Sequence, residues 1–342
     1  MNPFIISLFI SSLAMGTIIT MTSHHWLMAW AGLEINTLAI IPIMTKPHHP
    51  RATEAATKYF LTQAAASAMI LLASSINAWH TGQWDITQLT NQLSSTLMTA
   101  ALAMKLGLAP THFWLPEVMQ GTTMKTAMII TTWMKLAPMS LLLLIHTSLN
   151  HHILLSLGAL SILVGGWGGL NQTQIRKIMG FSSISHLGWM TIVITLSPSL
   201  ALLNLTVYLI ITLTMFLLLI STQAKTAQNM TTWTTTPITP ALTTLTLLSL
   251  GGLPPLTGFL PKWFILQELI TQQSTFIATV AAMSSLLNLF FYLRLSYITT
   301  LTTSPNTTTL SNKWRFKLLS KPMTMIMFIL STLALPMTFT LA

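Results

Sequence analysis

Runs of about twenty predominantly apolar residues recur along the whole chain, and no other feature constrains its fold as tightly. A hydrocarbon layer about 30 Å thick is crossed by about 20 helical residues. Windows of that kind fall near 3–22, 25–45, 55–78, 95–119, 124–145, 151–170, 176–196, 199–222, 239–265, 276–299 and 323–341, eleven in all. The connections are short except 79–94, 223–238 and 300–322. Only 6% of the 342 residues are charged and 52% are hydrophobic, whereas a soluble domain is about a quarter charged. Five acids and fifteen bases cannot solvate the surface of such a chain, so lipid is its natural solvent. The expected fold is an all-α polytopic membrane protein, a single transmembrane domain over 1–342.

The bases test the span count. With the N-terminus on the positive side, loops on that side carry Lys46, Arg51, Lys125, Arg176, Lys177, Lys225, Lys313, Arg315, Lys317 and Lys321. The opposite loops carry Asp85 and Glu268 and no base. This is the positive-inside asymmetry, and one missed span would scramble it. The net charge of +10 is spread over short loops. It lacks the clustered face that binds nucleic acid. The absence of cysteine excludes disulfides and thiolate-held iron–sulfur clusters on this chain. The opening MNPFIISLFISSLAMG has no basic n-region and no small-residue cleavage site, so it is expected to persist as a span.

Several ionisable residues fall at membrane depth. A charge at a helix centre costs about 3 kcal/mol on insertion scales and needs a reason to be there. Lys58 and Arg294 lie near the positive ends of their spans and can snorkel. Glu34, Lys105 and Lys135 lie about ten residues from either span end, at mid-bilayer for a rise of 1.5 Å per residue. Intramembrane charges usually mark proton or ion pathways. A buried structural ion pair is the competing reading.

Two windows, 95–119 and 239–265, are interrupted and are expected as discontinuous helices. The first reads from Gly107 through Pro110, His112 and Pro116 to Glu117. The second reads from Gly252 through Pro254, Pro255 and Pro261 to Lys262. Both follow G-L-x-P-x4-L-P and end on an ionisable residue, 145 residues and five spans apart. An odd number of spans reverses direction, which is the mark of an inverted repeat with a transport site at its broken helices. Two ordinary proline kinks are the plainer alternative. The expected organisation is 1–54 for the first two helices, 55–222 and 239–322 for the repeats, and 323–342 for a C-terminal helix. His112 and His186 lie within spans and can pass protons near neutral pH, although a lone buried histidine is more often simply hydrogen-bonded. His24/His25, His48/His49 and His151/His152 fall at span ends, and adjacent helix residues do not share a face. The segment from Gly165 to Gly169 lacks the spacing of a nucleotide loop and sits within a span. There, small residues let helices approach. No regular histidine pair suits haem, so electrons are not expected on this chain.

A family resemblance rests on Asn2-Pro3, His25-Trp26, Gly32-Leu33-Glu34-Ile35-Asn36 and the run from His49 to Ala55. It continues through the run from Lys58 to Gln63, Lys105 to Pro110, Gly169 to Thr173, Phe181-Ser182-Ser183-Ile184 and the second broken window. Over essentially the whole chain it resembles the NADH dehydrogenase subunit 2 family, antiporter-like core membrane subunits of respiratory complex I, in the vertebrate, mitochondrially encoded form. The resemblance implies a proton path in which Glu34 pairs with Lys105 and the route continues through Lys135 to Lys262. His112 and His186 would hydrate or bridge it. Separation of Glu34 from Lys105 would loosen the lysine's hold on its proton. The resemblance also implies the mitochondrial inner membrane, with the N-terminus in the matrix and the C-terminus in the intermembrane space. Implied partners are other membrane-arm subunits, including the antiporter-like chain 4 and chain 4L, accessory subunits, and lipids such as cardiolipin. No cofactor is expected on this chain; FMN, iron–sulfur clusters and ubiquinone would act in other subunits. The rival readings are a stand-alone cation/proton antiporter and a structural subunit that transmits coupling without net pumping. A quinone-binding cytochrome is more distant.

Overall fold

The computed structural model describes residues 3–230, 238–301 and 322–333. Lys313, Arg315, Lys317, Lys321 and the expected span end at 334–341 lie outside the described residues. The described residues are helical, with two isolated bridges, His25 to Asp85 and Gln174 to Thr226. Seven helical segments among them are long and apolar enough to cross a membrane. The chain divides into two compact units. One is Met1–Ser161 with Ile194–Pro198, and the other is Ile162–Val193 with Ser199–Ala342.

In the first unit, α1 (Pro3–Thr22) packs on α2 (Trp26–Thr45) through paired glycines. A Cβ on Gly16 would lie 2.8 Å from the Gly32 carbonyl, and one on Gly32 would lie 2.8 Å from the Gly16 carbonyl. Only backbone fits there, as small residues allow between helices in lipid. α3 (Pro50–Thr81) is longer than the apolar window at 55–78. Its proline at the first turn and the left-handed Gly82, φ 69°, set its two ends. Its buried stripe runs Ala52, Ala55, Ala56, Tyr59, Gln63, Ala66, Ser67, Ile70, Ala73, Ser74 and Asn77 at helical spacing. His25 and His49, read from sequence as interfacial, act as N-caps of α2 and α3. Their Nδ1 atoms accept from Leu27 N at 3.2 Å and Arg51 N at 3.1 Å. The connection after α3 is tucked in, with Trp26 N donating to Trp84 O and Ile86 N to His24 O.

Four further helices contribute to that unit's core. The window at 95–119 becomes α4 (Gln92–Leu106) and α5 (Trp114–Gly121). The window at 124–145 is interrupted at Thr132, between α6 (Met124–Thr131) and α7 (Trp133–Leu144). Thr131 donates its hydroxyl to Ala127 O and Thr132 to Met128 O, back-bonds that bend helices.

In the second unit, the C-terminal half of α8 (His151–Gly169) carries Gly165, Gly166, Gly168 and Gly169 on two faces. Cβ atoms on Gly165 and Gly168 would strike Ser185 and Phe181 of α9 (Ile175–Ile194). Those on Gly166 and Gly169 would strike Leu287 and Phe291 of α13 (Thr275–Leu301). This segment is therefore a two-sided packing surface, with Trp167 pointing outward and exposed. α10 (Pro198–Thr222), α11 (Ile238–Gly251), α12 (Phe259–Thr271) and α14 (Pro322–Leu333) complete the unit, and α11 packs on both α13 and α14.

Candidate functional site

A helix that stops in mid-span leaves carbonyls that lipid cannot satisfy, so each must find a protein partner. At the first break Gly107 takes φ 77°, a left-handed value that favours glycine. Gly107 N and Leu108 N donate to Ala103 O at 2.8 and 2.9 Å, the Leu108 bond being the six-to-one closure of a Schellman turn. Trp114 Nε1 donates to Met104 O at 3.1 Å. The carbonyl of Leu106 accepts from Lys135 Nζ, which crosses over from α7. The chain then turns through Pro110 and resumes at Trp114, whose ring lies 5.4 Å from the Lys135 amine. Tyr59 meets the same ring edge-on at 5.6 Å.

The second break, considered within its own unit, shares the left-handed glycine and the lysine-held carbonyl of the first. Gly252 takes φ 76°. Gly252 N donates to Ser249 O and Leu253 N to Leu248 O. The carbonyl of Gly251 accepts from Lys262 Nζ at 2.8 Å. The prolines Pro110 and Pro255, which align in the shared pattern, both follow cis peptide bonds. Gly258 rests on the α11 backbone, where a Cβ would lie 1.8 Å from Ser249 O. Thr257 donates its hydroxyl to Ser331 O and so ties α14 to the break. In both units a lysine amine bonds the last carbonyl before the left-handed glycine. A helix C-terminus favours a cation.

The buried residues gather in two places. Lys105 and Lys135 line one cavity of about 20 Å³ with Leu33, Asn36, Tyr59, Gln63 and others of the first unit. Glu34 lies on α2, the helix that also brings Leu33 and Asn36 to that cavity. Glu34 and Lys105 do not close an ion pair, however: Lys105 Nζ and Glu34 Oε2 are each buried without a hydrogen-bond partner. His112 is buried with Nδ1 unpartnered, its ring 4.3 Å from that of Phe113 and tilted by 33°. It is not among the residues that line the cavity. In the second unit, the His186 ring lies 5.4 Å from that of Tyr208.

The two residues read as snorkellers have specific partners. Lys58 bonds Glu54 at 2.6 Å and Glu117 at 2.7 Å, which ties α5 to α3. Arg294 donates to Leu170 O at 2.8 Å, just beyond the end of α8. Sequence reading missed Asn36 and Gln63 as cavity residues. The signal was available for Gln63, a polar side chain on the helical stripe that also holds Tyr59, Ala66 and Ile70.

Residues 23–288 match the family described as NADH:quinone oxidoreductase/Mrp antiporter, TM. Residues 289–342 match the family described as NADH dehydrogenase subunit 2 C-terminus. NADH-ubiquinone oxidoreductase chain 2 of Xenopus laevis is 58% identical over 342 residues, spanning 99% of each chain. This chain belongs to the NADH-ubiquinone oxidoreductase chain 2 family. The chain 2 of Bos taurus is 53% identical over 341 residues, covering 99% of this chain and 98% of its own length. A chain of respiratory complex I from Thermus thermophilus superposes with a TM-score of 0.85 at 24% identity, over 98% of this chain and 80% of that one. A chain of the Mrp complex from Dietzia sp. DQ12-45-1b does so with a TM-score of 0.79 at 18% identity, over 87% and 61%. At such identities the likeness speaks for the fold: an antiporter-like arrangement of helices. A chain 2 family member with this helix content is a multi-pass membrane protein.

Proposed function

We propose that the chain is a core membrane-arm subunit of a proton-pumping NADH:ubiquinone oxidoreductase, complex I, and that it carries protons rather than electrons. One observation carries this reading: two buried lysines line a single cavity, and the amine of one of them caps a helix interrupted in mid-span. A structural ion pair would leave Lys105 bonded to Glu34, whereas here Lys105 Nζ and Glu34 Oε2 are each buried without a hydrogen-bond partner. The open pair fits the separated half of a two-position switch. In this reading Glu34 sets the proton occupancy of Lys105, Lys135 receives the proton, and Lys262 with His186 serves the corresponding role in the second unit. His112 lies in the first break and hydrates its turn.

Electron transfer from NADH to ubiquinone belongs to other subunits, where FMN and iron–sulfur clusters would sit. The chain itself has no cysteine to hold a cluster. Its setting is the mitochondrial inner membrane, with the N-terminus in the matrix, the C-terminus in the intermembrane space, and neighbours such as chain 4, chain 4L, accessory subunits and cardiolipin.

The test is proton translocation by complex I reconstituted in sealed vesicles. Lys105→Met and Lys135→Met should each lower protons moved per NADH oxidised, or lower coupled turnover roughly tenfold or more, as losing a proton-transfer group does. An assembled complex that pumps with an unchanged ratio and rate would sink the relay.

A further inference from the structure

The chamber between Lys105 and Lys135 is not lined by the two amines alone. Asn36 reaches it from α2 and Gln63 from α3, and they are 2% and 3% exposed. Neither amide is satisfied by the protein: Asn36 Nδ2, Asn36 Oδ1 and Gln63 Nε2 are all buried without a hydrogen-bond partner, as is Lys105 Nζ. For Asn36 the conclusion does not depend on how the amide is flipped, since both atoms are unpartnered. A buried amide left unpaired costs about 1–3 kcal/mol. Two such amides converging with an unpaired amine on one cavity therefore make a site for a small polar ligand.

Size and chemistry identify that ligand. The cavity offers about 20 Å³. A single water needs roughly 10–15 Å³ measured in this way, together with two to four polar partners. Asn36 supplies one end of its amide, the Oδ1 end lying against Gly16 of α1, while Gln63 supplies a donor and Lys105 an amine. A metal cation is disfavoured by amine and amide donors and by the absence of any carboxylate lining the space.

We propose that Asn36 and Gln63 are positioning residues that hold a water beside Lys105 and so complete the proton's passage between Lys105 and Lys135. This rests on the proton-relay reading of the same chamber. The water accepts a proton from Lys105 as it passes one on toward Lys135, so no net charge is left on it and no bond to carbon changes. The amides move no proton themselves; they fix the water's place and orientation.

The experiment uses intact complex I carrying Asn36→Val or Gln63→Leu, alongside Lys105→Met. Four readings are taken: assembly, NADH:ubiquinone turnover in coupled vesicles, protons moved per NADH, and the solvent deuterium isotope effect on turnover. Each amide variant should assemble, turn over roughly tenfold more slowly when coupled, as misplacement of a reacting group does, and show a larger isotope effect. Asn36→Ser, whose hydroxyl both donates and accepts, should restore most of the rate. A purely structural role would lower assembly without moving the isotope effect. Amide variants with wild-type rate, ratio and isotope effect beside a defective Lys105→Met would overturn this inference and leave the relay standing. A silent Lys105→Met would instead remove the relay. If an amide variant does not assemble, a map of the unaltered complex at water-resolving quality decides. Density within hydrogen-bond reach of the Asn36 and Gln63 amides supports the proposal, and a dry chamber refutes it.

Discussion

Gly252 carries two constraints at one position. Its φ of 76° disfavours any L side chain, and a Cβ there would lie 2.9 Å from both Cδ and Nζ of Lys262. Gly252→Ala is therefore expected to cost about 1 kcal/mol or more from the backbone alone and to push the Lys262 amine off the Gly251 carbonyl. The complex should assemble but pump fewer protons per NADH, measurable in sealed vesicles. Gly107, at φ 77°, shares the backbone constraint but has only ring atoms of Trp114 and the Leu115 methyl near it, at 3.3 Å and beyond. Alanine there should disturb the helix end rather than an amine. Lys58 stands at the other extreme. Its side chain is 42% exposed and its partners Glu54 and Glu117 are 61% and 51% exposed. Exposed pairs are worth about 0–1 kcal/mol each, so Lys58→Ala should leave the thermal stability of the complex nearly unchanged.

At the scale of an element, the first break is held shut by one aromatic residue. Trp114 begins α5, donates to the last turn of α4, and lies under the Lys135 amine. Trp114→Phe keeps the ring and removes the donor. It should cost about 1 kcal/mol for the bond and weaken the attraction to the amine, which is strongest for an indole. Its signature would be faster hydrogen exchange in the last turn of α4, read by mass spectrometry, together with slower coupled turnover. The interruption at Thr132 works with it. A straight helix would carry Lys135 on the register of α6, whereas the bend starts α7 afresh two residues before the lysine.

Taken as a molecule, the chain turns large apolar side chains outward on its first and later helices alike. Phe4, Leu8, Met15 and Ile18 of α1, and Phe276, Met283 and Phe290 of α13, are all exposed. A chain soluble in water would bury such residues; lipid or neighbouring subunits cover them here. The proposed orientation, with the N-terminus on the matrix side, has a direct test. With no cysteine in the chain, single replacements at exposed Lys46, Lys225, Gln83 and Gln272 give clean reporters. An impermeant maleimide should reach the first two from the matrix side and the last two only from the other. Labelling of all four from one side would refute the topology. The helical build and the two breaks were legible beforehand, because apolar runs and the repeated G-L-x-P pattern are local or periodic signals; of the eleven expected spans, seven helical segments among the described residues are long and apolar enough to cross a membrane. Both breaks lie where that pattern put them, beginning at Gly107 and Gly252. The chamber was not legible: Asn36, Gln63, Lys105 and Lys135 come from four helices, and only tertiary packing brings them to one cavity. Nor did the sequence reveal which carbonyls the lysines hold. Lys135 reaches back 29 residues and Lys262 only 11 for the same bond, so no single spacing encodes it.

Those two bonds have a thermodynamic consequence. In each unit the group that carries a titratable proton is also the group that fastens the end of an interrupted helix. Two events that share one contact are linked, and linkage is reciprocal. Whatever factor protonation contributes to holding the helix end, displacement of that end returns to the proton's affinity. A pull on the helix and a change in proton concentration are then interchangeable inputs to one equilibrium, with no separate transducer between them.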